Sequence, residues 1–132
     1  MRYISTRGRA PELAFDDVLL TGLARDGGLY VPAEWPRLSA DDLRAMKSLS
    51  YNEIAFRVIK PFVGGTIDDD ALMSIIEKAY ATFDGGEVAP LVSIGDDIHL
   101  MELFHGPTLA FKDVAMQLLG GLFDHVLKAQ GK

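Results

Sequence analysis

Apolar and polar positions change rhythm several times along the chain. Tyr3-Ile4-Ser5-Thr6 predicts a short opening strand. Phe15, Val18 and Leu19, with Gly22-Leu23 behind them, predict a short amphipathic helix from about Ala14 to Leu23. Asp26-Gly27-Gly28 is a turn signal, Leu29-Tyr30-Val31 a brief extended piece, and Pro32 its end. Three helices follow. Ser39 with Asp42 opens the first, and Ser50 with Glu53 forms a capping box at the start of the second. That second helix presents Ile54, Phe56, Val58, Ile59 and Phe62, and Pro61 bends or ends it. Thr66 with Asp69 marks the start of the third. Its Leu72, Ile75, Ile76, Ala79, Tyr80 and Phe83 recur with helical spacing, so they form one core-facing stripe.

The pattern then switches to alternation. Asp84-Gly85-Gly86 breaks the helix, Leu91 to Ile94 reads as a strand, Gly95-Asp96-Asp97 as a turn, and Ile98 to Leu103 as a second strand. A long helix over about Ala110 to Ala129 closes the chain, with Val114, Ala115, Leu118, Leu119, Leu122, Phe123, Val126 and Leu127 as a broad apolar face. Gly120-Gly121 interrupts it at a cost in helix stability, which predicts close backbone packing there. The other Gly-Gly pairs (27-28, 64-65 and 85-86) lie in no dinucleotide or P-loop pattern and read as turns. The organisation expected is a mainly helical region with short strands over residues 1–92, then the beginning of an α/β domain over 93–132. The last helix exposes more apolar surface than the remaining residues can cover, so the chain reads as the front part of a longer protein or as one half of a dimer.

Composition narrows the function classes. The chain has 132 residues, 48% of them hydrophobic and 24% charged, which suits a folded soluble domain. A net charge of −6 disfavours broad nucleic-acid or anionic-membrane surfaces, while leaving room for a local anion pocket. With no cysteine, neither disulfides nor thiolate metal sites can form, and a cytoplasmic setting is expected. His99, His105 and His125 lack metal-ligand spacing, so no metal is expected. Neither a secretory leader nor a membrane span is expected in this sequence.

Chemistry concentrates in Glu102-Leu103-Phe104-His105-Gly106-Pro107-Thr108-Leu109-Ala110-Phe111-Lys112-Asp113. This segment puts a lysine at the positive end of the last helix, where carboxylates are favoured and ammonium groups are not. An ordinary lysine amine, with a pKa of about 10.4, is nearly all ammonium at neutral pH and is a weak nucleophile. Desolvation by Phe104, Leu109 and Phe111, together with the helix terminus, would favour the neutral amine at Lys112, whereas Asp113 would oppose it. Gly106-Pro107 would tighten the turn that aims it. An amine so prepared can form a Schiff base with an aldehyde, pyridoxal phosphate being the common case. The alternative is a solvated lysine lying over Phe111.

The same segment resembles the lysine segment of the threonine synthase family, pyridoxal-phosphate enzymes related in fold to the tryptophan synthase β-subunit. Tyr3-Ile4-Ser5-Thr6-Arg7-Gly8 and Gly22-Leu23-Ala24-Arg25-Asp26-Gly27-Gly28-Leu29-Tyr30-Val31-Pro32 are similar to the opening of the family's longer form. The resemblance implies a fold-type II cofactor domain beginning near residue 93. It also implies a lyase that converts O-phospho-L-homoserine and water to L-threonine and phosphate. By the match, Lys112 carries the cofactor, and Phe111 and Asp113 flank it as pocket residues. Thr108 is expected either to cap the helix or to touch substrate, His105 to serve as a turn residue or a base, and Arg7 to meet an anion or a surface carboxylate. The family's cofactor-phosphate loop and its partner for the pyridine nitrogen lie beyond these residues, so the 132 residues alone are expected to be inactive and to need the remainder of the chain. Two other readings stay open: a non-catalytic helical interaction domain, and a related enzyme acting on another amino acid.

Overall fold

A computed structural model describes residues Met1–Lys132, which divide into two compact units, Met1–Met73 and Ser74–Lys132. In the first unit, β1 (Tyr3–Ser5) is followed by α1 (Phe15–Thr21) and β2 (Tyr30–Pro32). The two strands pair antiparallel, with Tyr3 opposite Pro32 and Ser5 opposite Tyr30. The opening helix is shorter than expected. Ala14 is still extended, and Gly22 enters positive φ at 69°, so Leu23 leaves the helix and bridges to Leu29 instead. Pro32, expected to end the extended segment, forms the last rung of β2. A proline fits there because this two-stranded ribbon has a free edge for the residue that lacks an N–H.

Two capping boxes start α2 (Ala40–Met46) and α3 (Tyr51–Val63), as the spacing predicts. In each, a serine hydroxyl accepts from the N–H three residues on, and the acidic side chain at that position accepts from the serine N–H. Pro61 does not end α3. The helix runs two residues further and stops at Gly64, which is left-handed (φ 60°, ψ 24°) and donates its N–H to the Lys60 carbonyl.

The division between the units falls within α4 (Asp69–Tyr80). Thr66 does not cap this helix, contrary to expectation: its hydroxyl is spent on the Val63 carbonyl, and Asp68 accepts from the Ala71 N–H in its place. The predicted stripe is otherwise observed. Leu72, Ile76, Ala79, Tyr80 and Phe83 are buried, and Ile75 is half-buried. The first unit's core contains Tyr3, Ala24, Met46, Val63, Ile67 and Leu72. Tyr3 also donates its hydroxyl to the Phe62 carbonyl at 2.7 Å.

In the second unit, β3 (Leu91–Gly95) and β4 (Ile98–Met101) form the expected antiparallel hairpin, with Leu91 opposite Met101. Every residue of both strands is exposed. The closing helix, α5 (Asp113–Ala129), begins three residues later than the sequence suggests. Of its broad apolar face only Leu122 and Val126 are buried, among Ile76, Ala79, Tyr80, Phe83 and Val88 of the same unit's core. Gly121 provides a close approach: a methyl group there would lie 2.7 Å from Ile75 Cγ2, whereas Gly120 faces open space. No helix is long and apolar enough to cross a membrane.

Candidate active site

The lysine-bearing segment is a loop between β4 and α5, held by bonds at several points. At its start Glu102 donates its N–H to the Pro90 carbonyl at 3.0 Å, and the Glu102 carboxylate meets His105 Nε2 at 2.7 Å. The His105 ring stacks on Phe104, with centroids 4.8 Å apart, and the His105 carbonyl accepts from the Asp84 N–H at 2.9 Å. His105 is thus paired and stacked within its own loop.

Asp113 organises the rest. It is 3% exposed, and its carboxylate accepts the Thr108 N–H at 2.8 Å and the Thr108 hydroxyl on both oxygens, at 2.8 and 2.9 Å. Burial alone would raise this carboxyl, but bonds from Thr108, Ala110 and Gln117 outweigh it and hold it below the usual carboxylate value. Asp113 in turn donates its own N–H to the Ala110 carbonyl at 2.9 Å. Gly106 makes room for this arrangement: a Cβ on it would lie 2.4 Å from Asp113 Cβ and 2.6 Å from a carboxylate oxygen. Leu109 completes the turn, bonding to the Gly106 carbonyl with φ at 59°, a conformation that costs a leucine about 1 kcal/mol or more. Thr108 therefore binds a carboxylate and does not cap α5 in the expected manner: the N-cap position is Lys112, and no side chain caps the helix there.

Lys112 is the residue immediately before α5, and its carbonyl accepts from the N–H groups of Ala115 and Met116. Its amine is exposed and makes no ion pair or hydrogen bond. The desolvation expected around it is not formed by these residues. Phe104, Leu109 and Phe111 are 49%, 68% and 66% exposed, so they offer an open apolar surface and no enclosure. The combination still suits an aromatic aldehyde: a free primary amine on a fixed backbone, flanked in sequence by apolar faces on which a flat ring can lie.

Arg7 belongs to the other unit. Its guanidinium donates to the Asp26 carbonyl at 3.0 Å, within a network that sequence reading missed. Asp26 accepts from the Ser5 hydroxyl at 2.7 Å and from the N–H groups of Arg9 and Gly28 at 2.9 Å each. Burial pushes this carboxyl up, but bonds from Ser5, Gly28, Arg9 and Ala10 overcome it and bring it down to about 2. The available signal was Asp26 before Gly27-Gly28, which reads as a turn but also fits a carboxylate collecting backbone N–H groups. The first unit also has a cavity of about 620 Å³ beside α3, near Met46, Phe56 and Val63, and none of the predicted site residues lines it.

Comparison with known proteins adds independent information. Residues 2–80 match the family model described as "Threonine synthase N terminus". Over its whole length the chain is 54% identical to a threonine synthase of Pseudomonas aeruginosa, and it spans 28% of that protein. The solved structure of a pyridoxal-phosphate-bound threonine synthase from Brucella melitensis superposes with a TM-score of 0.98 at 52% identity, covering all of this chain and 28% of that one. The yeast threonine synthase structure superposes with a TM-score of 0.92 at 39% identity, covering 98% and 27%. The fold expected from the sequence, short strands among helices leading into an α/β segment, is the fold of the corresponding region of these enzymes.

Proposed function

The chain belongs to the threonine synthase N-terminal family, and from that premise we propose that it is the N-terminal part of a pyridoxal-phosphate-dependent lyase. The reaction proposed for the whole protein converts O-phospho-L-homoserine and water to L-threonine and phosphate in the cytoplasm. The observation that carries the proposal is an unpaired amine, Lys112, on a loop whose other polar groups are bonded to one another.

The residues of this chain divide the work as follows. Lys112 Nζ would hold the cofactor and would take up and return protons at that nitrogen. Phe111 offers an apolar face beside it. Thr108 and Asp113 keep the loop in shape, and His105 is held by Glu102. When bound, the cofactor supplies an electron sink that lets a proton leave an amino-acid carbon. In the overall balance, phosphate leaves the γ-carbon and a proton leaves the β-carbon, while water supplies a hydroxyl to the β-carbon and a proton to the γ-carbon.

Residues 93–132 are proposed to open the cofactor domain. The chain spans about 28% of the length of the relatives it matches. Leu91, Ile94, Ile98, Leu100 and Met101 of the hairpin are all exposed, as are Phe104, Leu109 and Phe111. An apolar surface of this extent calls for cover, and the remainder of a longer chain is the cover proposed. These 132 residues by themselves are accordingly proposed to bind cofactor weakly and to be inactive.

The test uses full-length protein and its Lys112→Ala variant. The parent should retain a reducible covalent link to pyridoxal phosphate at residue 112 and turn over phosphohomoserine. The variant should lose both. Covalent attachment at a different lysine, or undiminished turnover by the variant, refutes the assignment.

A further inference from the structure

Lys112 and Asp113 are adjacent in sequence and opposite in charge, yet they are not paired. The amine has no partner, while the carboxylate is buried and occupied by Thr108. A freely mobile aspartate beside an exposed lysine would keep the ammonium company and so oppose its use as a nucleophile or base. Three separate features keep that from happening here. Thr108 supplies an N–H and a hydroxyl to the two carboxylate oxygens. Gly106 leaves a gap that the Asp113 side chain fills, since any Cβ at that position would overlap it. Leu109 is held at positive φ, a strained geometry that carries the chain around so that Thr108 faces Asp113.

We infer that Asp113 is a positioning residue for Lys112: the pocket made by Gly106 and Thr108 captures its carboxylate, which anchors the loop and withholds the charge adjacent in sequence from the lysine amine. The inference rests on the reading of Lys112 as the cofactor lysine and gives it a device the sequence did not reveal, because the family resemblance placed Asp113 beside the cofactor and the residues themselves set it against the neutral amine. The two glycine and threonine positions acquire a purpose from it. A bulkier residue at 106, or a residue without a hydroxyl at 108, would free a carboxylate next to the reactive amine.

The experiment uses full-length protein freed of cofactor and measures competitive acylation of individual lysines by acetic anhydride at fixed pH. Lys128, in the last turn of α5 and paired with Asp124, serves as the internal reference. Gly106→Ala forces the carboxylate out of its gap. Labelling of Lys112 relative to Lys128 should fall roughly two- to fivefold, the effect of one exposed ion pair. Adding Asp113→Asn to Gly106→Ala removes the charge while leaving the loop just as disturbed, and labelling of Lys112 should return to the parent level or above. A loop with a merely structural role would respond alike to the single and the double variant. Equal labelling in both, or no change in Gly106→Ala, overturns the inference. If Gly106→Ala does not fold, by circular dichroism, Thr108→Val alone and with Asp113→Asn carries the same comparison, with Thr108→Ser expected to behave as the parent. Failure of the cofactor assignment would appear separately, as covalent attachment that survives Lys112→Ala.

Discussion

The glycine pair in α5 offers a sharp test of the packing, because two adjacent residues of one type should respond in opposite directions to the same substitution. Glycine inside a helix costs about 1 kcal/mol relative to alanine through backbone entropy. At Gly120 an added methyl meets nothing within 4 Å, so Gly120→Ala should recover most of that, a stabilisation of about 0.5–1 kcal/mol. At Gly121 the methyl would sit 2.7 Å from Ile75 Cγ2, about 1 Å inside normal carbon–carbon contact. Ile75 is β-branched and lies on α4, so its Cγ2 cannot move without an unfavourable rotamer or a shift of the helix. Overpacking of this kind costs about 1–3 kcal/mol. Set against the same propensity gain of about 1 kcal/mol, Gly121→Ala should range from neutral to about 2 kcal/mol destabilising. Urea unfolding followed by far-UV circular dichroism gives both numbers. The combination of Gly121→Ala with Ile75→Ala isolates the contact, because removing Cγ2 should eliminate most of the penalty. Equal stabilisation by the two single alanine substitutions would mean that α4 and α5 do not approach as described.

Three further outcomes follow from the same structure. Leu72→Ala should cost about 2–5 kcal/mol in urea unfolding, since Leu72 has no exposed surface. A loss under about 1 kcal/mol would place it outside the core. Ser50→Ala should cost about 0.5–2 kcal/mol and Ser50→Gly only a few tenths, because alanine removes the cap oxygen while glycine still suits the cap backbone. Equal losses would argue against the capping box. Stability should also depend on acid in a defined direction. Asp26 is held down at about 2 from an ordinary 3.8, so its contribution is complete above the ordinary value and is lost as pH falls through about 2. Asp26→Asn should flatten that part of a pH–stability curve measured by thermal unfolding, and an unchanged acid limb would refute the network around Ser5.

What the sequence revealed follows the range of the interactions involved. Capping boxes join residues three apart, so Ser39-Asp42 and Ser50-Glu53 were readable and are observed. The α4 stripe was readable because helical periodicity is a local property, and five of its six positions are buried. Local rules failed where two competed. Thr66 and Asp68 are both good cap residues, and only the conformation after Gly64-Gly65 decides that Asp68 takes the role. Pro61 could end α3 or lie within it. There it removes one N–H bond, the one to the carbonyl four residues back, and the helix continues for only two more residues to Gly64. The Ser5–Asp26 network spans twenty-one residues, a separation over which no periodicity carries information.

The site divides along the same line, and this explains why Lys112 was legible as a position but not as an environment. Its place at the head of a helix and its apolar neighbours are facts of spacing, and both are present. Whether those neighbours enclose it depends on what lies across from them, and Phe104, Leu109 and Phe111 are all exposed. Within these residues the apolar side chains form a surface, and enclosure of the amine is left to whatever covers that surface. The contribution that the loop does make is polar. Gly106, Thr108 and Asp113 are brought together within eight residues, a separation short enough to be visible in the sequence. It went unrecognised because an aspartate beside a lysine reads first as its charge partner. Only the positive φ of Leu109 and the gap at Gly106, neither of which has a sequence signature, turn that carboxylate toward Thr108 and leave the amine unpaired.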